Sequence, residues 1–147
     1  MKTSARNQLA GTVTAVRPGA VNDEVELALA NGGKVGTKIV AIITHASTQA
    51  LGLKPQAGAT ALIKASHVLL ATGLGSAKVS ARNQLHGTVR AVAPGAVNSE
   101  VTLELDGGGA QIVAIVTEAS VKALGLAPGA KATALVKASD VILAVPG

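Results

Sequence analysis

Apolar and polar positions alternate along the start of the chain. From Gln8 to Val16, Leu9, Gly11, Val13 and Ala15 fall on one side and Thr12 and Thr14 on the other, the period of a half-buried strand. Arg17-Pro18-Gly19-Ala20 turns the chain. Val25, Leu27 and Leu29 then alternate with Glu24, Glu26 and Ala28, a second strand with a charged outer face that Asn31-Gly32-Gly33 ends. A third strand, Lys38 to Ile43, carries the continuous run Ile39-Val40-Ala41-Ile42-Ile43, which predicts burial on both faces. Thr44 stands where a helix N-cap is wanted, Ala46 to Leu51 are mostly good helix formers, and Gly52 terminates them. Alternation resumes at Ala59 to Lys64, Ala65-Ser66 interrupts it, and Val68 to Ala71 makes a last short strand.

The whole pattern then repeats. Ser4 to Leu29 matches Ser80 to Leu105 at 20 of 26 positions, and Ile39 to Thr72 matches Ile112 to Val145 at 23 of 34. A repeat of this length is a small domain and not a solenoid unit, so the chain reads as a tandem duplication. The modules are residues 1–72 and 80–147, joined by a Gly- and Ser-containing connector at 73–79. Three strands, a short helix and two strands is the order of the OB-fold, a five-stranded Greek-key barrel. The fold class is therefore all-β, as two tandem OB-like barrels.

Composition narrows the picture further. The chain is 48% hydrophobic but has no Phe, Tyr or Trp, so its cores must be built from Val, Leu, Ile and Ala. Small aliphatic cores bury little area per residue, and each module is expected to need a partner, through pairing or oligomerisation. Without cysteine there is no disulfide framework, the repeat begins directly after Met1-Lys2-Thr3, and no apolar run reaches membrane-spanning length. The expectation is a soluble cytoplasmic protein. Thirteen Lys and Arg against eight Asp and Glu give +5, which favours an anionic partner.

The polar residues kept in both copies are rich in hydroxyl and amide donors and poor in catalytic groups. They are Ser4, Arg6, Asn7, Asn22, Glu24, Thr44, Ser47, Lys64 and Ser66, with Ser80, Arg82, Asn83, Asn98, Glu100, Thr117, Ser120, Lys137 and Ser139. No shared histidine or nucleophile–base pair occurs, so no enzyme is expected. His45, His67 and His86 are replaced in the other copy by Glu118, Asp140 and Ala10 and are expected to be solvated surface residues. Hydroxyls, backbone N–H groups and one or two cations suit a tetrahedral oxyanion. The same residues also have plain structural uses: Thr44 as a cap, Asn7 and Asn22 in turns, Arg6 and Lys64 as solvated strand ends.

Four short motifs recur in order in both copies: Ser4-Ala5-Arg6-Asn7, Gly19-Ala20-Val21-Asn22 with Glu24-Val25, Ala41-Ile42-Ile43-Thr44, and Lys64-Ala65-Ser66. In this the chain resembles the Mop, or molybdate-binding TOBE-like, domain family, and in particular its two-module molbindins. The resemblance implies an OB-like barrel per module and a cytoplasmic protein that binds molybdate, and usually tungstate, for storage or homeostasis, without a cofactor. It also implies a homotrimer, with six modules around a threefold axis. Carried onto this sequence, the anion ligands are Ser4, Arg6, Thr44, Lys64 and Ser66 with backbone donors near Ala5 and Ala65, Asn7 and Ser47 being grouped with them. The second copy supplies Ser80, Ala81, Arg82, Asn83, Thr117, Ser120, Lys137, Ala138 and Ser139. A further site near the axis falls to Gly19, Ala20, Val21 and Asn22 with Gly95, Ala96, Val97 and Asn98. The Lys34-Val35-Gly36-Thr37 insertion is the main departure from an even repeat.

Two readings of other classes compete. An OB module that binds nucleic acid fits the charge, but such modules stack bases on aromatic side chains, which are missing. A purely structural oligomerisation module is the other.

Overall fold

The computed structural model describes residues 1–30, 36–107 and 109–147. The Asn31-Gly32-Gly33 turn and the Lys34-Val35 half of the insertion lie outside the described residues. In the first copy the chain forms β1 (Asn7–Arg17), β2 (Asn22–Leu29), β3 (Lys38–Thr44), α1 (His45–Ala50), β4 (Gly58–Ile63), a 3₁₀ turn (Ala65–His67) and β5 (Leu69–Ala71). The second repeats this as β6 (Asn83–Ala93), β7 (Asn98–Leu105), β8 (Gln111–Thr117), α2 (Glu118–Leu124), β9 (Lys131–Val136), a 3₁₀ turn (Ala138–Asp140) and β10 (Ile142–Ala144). The expected all-β architecture is present, as two curled five-stranded sheets with one short helix each. No helix among the described residues is long and apolar enough to cross a membrane.

Each copy gives its last strand to the other. The sheet orders are β10-β4-β1-β2-β3 and β5-β9-β6-β7-β8, all antiparallel. Leu143 of the second copy stands opposite Ala61 of the first, and Leu70 of the first opposite Ala134 of the second. Buried aliphatics from both copies consequently join in one core, with Leu27, Ile39, Ile63, Leu103 and Ile112 among its largest fully buried side chains. Pairing within the chain supplies the partner that an aromatic-free module was expected to need.

Local chemistry explains the elements. Thr44 Oγ1 accepts the Ser47 N–H at 3.1 Å, and Thr117 accepts from Ser120 at the same distance, so both helices carry the expected hydroxyl cap. α2 ends at Gly125, whose φ of 65° is readily reached only without a Cβ. Gly11 and Gly87 serve a different need: a Cβ there would lie 2.3 Å from the carbonyl oxygen of Ala28 or Glu104 on the neighbouring strand.

Two expectations need correction. The alternation read from Gln8 to Val16 placed Ala15 inward, but the register slips between Val13 and Ala15, leaving Thr14 as the extra residue of a β-bulge. Past the bulge Val16 packs against the core, and the same slip occurs between Val89 and Ala91. The run Ile39 to Ile43 is also not buried on both faces. Ile39 and Ala41 are fully buried and Ile43, on the same face, packs against the core, while Val40 and Ile42 are half-buried on the opposite face; the strand also meets the other copy's 3₁₀ turn.

Candidate functional site

Strand pairing brings the expected ligand segments together. Asn83 at the start of β6 stands opposite Val136 at the end of β9, so the residues just outside that pair, 80–82 and 137–139, lie side by side. They line one pocket of about 450 Å³ that contains Ser80, Ala81, Arg82, Lys137, Ala138 and Ser139, closed by Ile42 of β3 and Leu69 of β5. Four chain segments from both copies thus meet there. The first-copy residues Ser4, Ala5, Arg6, Lys64 and Ala65 flank the equivalent pair Asn7 and Ile63 in the same way.

The donor set suits an anion with several oxygens. The 3₁₀ turn uses the N–H groups of Asp140 and Val141 internally, leaving those of Ala138 and Ser139 without an acceptor in the turn. Ser80 and Ser139 carry exposed hydroxyls, and Lys137 forms no ion pair among the described residues. Arg82 is already engaged: its Nη1 and Nη2 donate to Glu24 Oε2 and Oε1 at 2.5 and 3.0 Å. Arg6 is held the same way by Glu100, at 2.6 and 2.7 Å. Each arginine therefore bridges one copy's opening segment to the second strand of the other, a link not legible in the residue pattern.

Other expected ligands lie elsewhere. Ser66 is in a second pocket, about 430 Å³, with Asn98, Thr117 and Ser120. Thr44 Oγ1 donates to Ser47 Oγ at 2.8 Å and Thr117 to Ser120 likewise, so these hydroxyls are first of all helix caps. The Gly19-Ala20-Val21-Asn22 turn reaches the same helix entrance, because Asn22 pairs with Thr44 and the His45 N–H donates to the Val21 carbonyl at 2.8 Å. The Gly95-Ala96-Val97-Asn98 turn does so through Thr117 and Glu118.

Asn7 and Asn83 have little left for an anion. Each is 2% exposed. Asn83 Oδ1 accepts the Val40 N–H at 2.7 Å, and its Nδ2 donates to the carbonyls of Val40 at 2.8 Å and Val136 at 3.3 Å. Asn7 does the same with Val113 and Ile63. Both amide hydrogens are spent, and the two side chains latch the copies together.

The histidines lie at the surface as expected, His67 and His86 exposed and His45 half-buried, and each has a polar neighbour. His45 Nδ1 lies 3.0 Å from Asp23 Oδ2, His86 Nδ1 2.9 Å from Thr133 Oγ1, and His67 Nδ1 4.0 Å from Asp140. His67 and Asp140 are equivalent positions of the two copies, so their contact marks the local twofold axis. Asp23, which sequence reasoning passed over, is 1% exposed. Burial acts to raise its pKa, but hydrogen bonds from the Gly19 N–H, Thr48 and His45 outweigh that and hold the carboxyl below its usual range. In the second copy, Ser99 donates to Glu118 in place of this pair. The swap of residues 23 and 45 together was the available signal.

Glu24 and Glu100 are lowered by the hydrogen bonds from Arg82 and Arg6. For groups whose folded pKa lies below the unfolded value, the stability they contribute is complete above the unfolded pKa, about 4 for these carboxyls, and is lost as pH falls through the folded pKa. Thermal melts are thus expected to be level from neutral pH to about pH 5 and to fall progressively below about pH 4. An unchanged midpoint at pH 3 would contradict this.

Comparison with known proteins follows the same lines. The TOBE domain matches twice, at residues 3–70 and 79–143. The chain is 51% identical over 146 residues to the molybdenum-pterin-binding protein MopA of Rhodobacter capsulatus, covering 99% of this chain and 53% of that protein. It is 49% identical over 147 residues to the molybdenum transport protein ModE of Azotobacter vinelandii, covering 100% of this chain and 52% of that one. The chain spans about half the length of these curated relatives. A crystal form of the cytoplasmic molybdate-binding protein ModG with molybdate bound superposes with a TM-score of 0.92 at 48% identity, over 99% of this chain and 100% of the other.

Proposed function

From the premise that this chain belongs to the TOBE-domain family, we propose that it is a cytoplasmic protein binding molybdate and tungstate reversibly, for storage or homeostasis of molybdenum. The observation that carries the reading is the single pocket in which Ser80, Ala81 and Arg82 meet Lys137, Ala138 and Ser139. Likeness to ModG over its whole length supports the same ligand. Lys137 supplies a mobile positive charge, the 3₁₀ turn its free N–H groups, and the two serines neutral donors. Ser4 and Lys64 do the same work in the first copy, while Ser66 joins Thr44, Ser47, Thr117 and Ser120, with the Gly19 to Asn22 and Gly95 to Asn98 turns, in a separate donor cluster at the helix entrances. Asn7 and Asn83 position the segments and do not ligate. No bond is made or broken, and the chain acts as a binder and not an enzyme. Size selects molybdate and tungstate over the smaller sulfate.

The working unit is a homotrimer. Val21 and Val97 are each 72% exposed, and Leu69 and Ile142 are also exposed, at equivalent places in the two copies. Apolar side chains so placed favour burial against further copies.

Calorimetric titration with molybdate, tungstate, sulfate and phosphate, with the assembly mass measured alongside, tests the reading. Saturable uptake of the first two and far weaker uptake of sulfate is expected. Lys137→Ala removes a charge-assisted hydrogen bond and is expected to weaken molybdate about 10-fold or more. Absence of heat and of competition with all four anions would overturn the proposal.

A further inference from the structure

Glu24 and Glu100 occupy equivalent positions but are unequally partnered. Glu24 holds Arg82 at 2.5 and 3.0 Å and also takes Arg17 Nη1 at 3.1 Å. Glu100 holds Arg6 alone among the described residues. The strand register gives the reason: Arg17 stands opposite Glu24, and in the second copy that place opposite Glu100 belongs to Ala93.

The difference reaches the anion pockets. An anion beside Arg82 competes with Glu24 for the guanidinium. When Arg82 turns to the anion, Glu24 keeps Arg17; when Arg6 turns, Glu100 is left without a cation. Stranding a partly covered carboxylate is the more costly exchange. Arg17 also adds one positive charge near Arg82 that has no counterpart near Arg6, which favours the anion in the same direction. The order in which Arg82 and then Arg17 depress the Glu24 carboxyl agrees with Arg17 being the reserve partner.

We propose that Arg17 is an affinity-determining residue that acts through Glu24, making the Arg82–Lys137 pocket the tighter of two equivalent anion sites. Arg17 touches no ligand; it sets how easily Arg82 is released. The inference rests on the oxyanion reading above. Because Arg17 is well exposed, its effect is a few-fold and is screened by salt.

Molybdate titration at low ionic strength, with full-length protein, provides the test. The wild type is expected to show two classes of site, and Lys137→Ala should weaken the tighter by about 10-fold or more while sparing the other. Arg17→Ala is expected to weaken that class alone, by about three-fold. Ala93→Arg, which places an arginine opposite Glu100, is expected to strengthen the weaker class by a similar factor, a gain that a merely structural role for Arg17 does not produce. The gap between classes should shrink with added salt. Unchanged affinities in both variants, or an equal loss in both classes for Arg17→Ala, would overturn the inference while leaving molybdate binding standing. A wild type that binds no molybdate at all overturns both.

Discussion

Leu143→Ala, near the end of the second copy, is expected to destabilise the chain by about 2–4 kcal/mol, with the damage appearing in the sheet of the first copy. Leu143 is 6% exposed and faces Ala61 across the β10–β4 pairing. Truncating it opens a cavity over β4, and β10 is only three residues long, with few other contacts to keep it in place. Denaturant unfolding gives the loss in stability, and hydrogen exchange locates it. Protection should fall in Gly58–Ile63 and be retained better in Lys131–Val136. The reverse distribution would mean that each copy keeps its own last strand.

Asn83→Ala is expected to cost about 2–4 kcal/mol for a different reason. The side chain fills no large space; it satisfies the N–H and C=O of Val40 and the C=O of Val136. Removing it leaves three backbone groups without partners, of which those of Val40 are partly reachable by water. Asn83→Asp separates this account from packing. It keeps the volume but directs a carboxylate at two carbonyl oxygens, so it should be at least as destabilising as alanine. Folded Asn83→Ala protein should retain molybdate affinity within about three-fold, since the amide has no hydrogen to spare for an anion. Wild-type stability with lost binding would reinstate Asn83 as a ligand.

Much of the architecture could be read in the chain. Alternation located each strand of the first copy to within a few residues, because most have one buried face, and hydroxyl caps marked both helices. The bulge at Thr14 could not be read, because Ala15 and Val16 are both apolar and either can face the core. Strand exchange was hidden by the duplication itself. Leu69-Leu70-Ala71 and Ile142-Leu143-Ala144 are nearly the same segment, and so are their acceptors, Ala59 to Ile63 and Ala132 to Val136. Local preference therefore cannot choose between partners. For the pocket, the shared motifs led to Ser80, Arg82, Lys137 and Ser139, which do meet. They also led to Asn7 and Asn83, because an amide that latches a strand and one that grips an anion present the same donors. Glu24 and Glu100 were noticed as shared residues but given no role, since their arginine partners lie in the other copy, 58 and 94 residues away.

The exchanged strands also set a schedule for synthesis. Ile142 pairs with Leu62, so the first sheet stays open at β4 while the entire second copy is made. Closing so long a stretch of chain is slow, and until then β4 presents an unpaired edge. During refolding, the last strand of a neighbouring molecule fits that edge as well as the chain's own. Yield of the correct product should therefore fall with concentration, as chains complete one another's sheets.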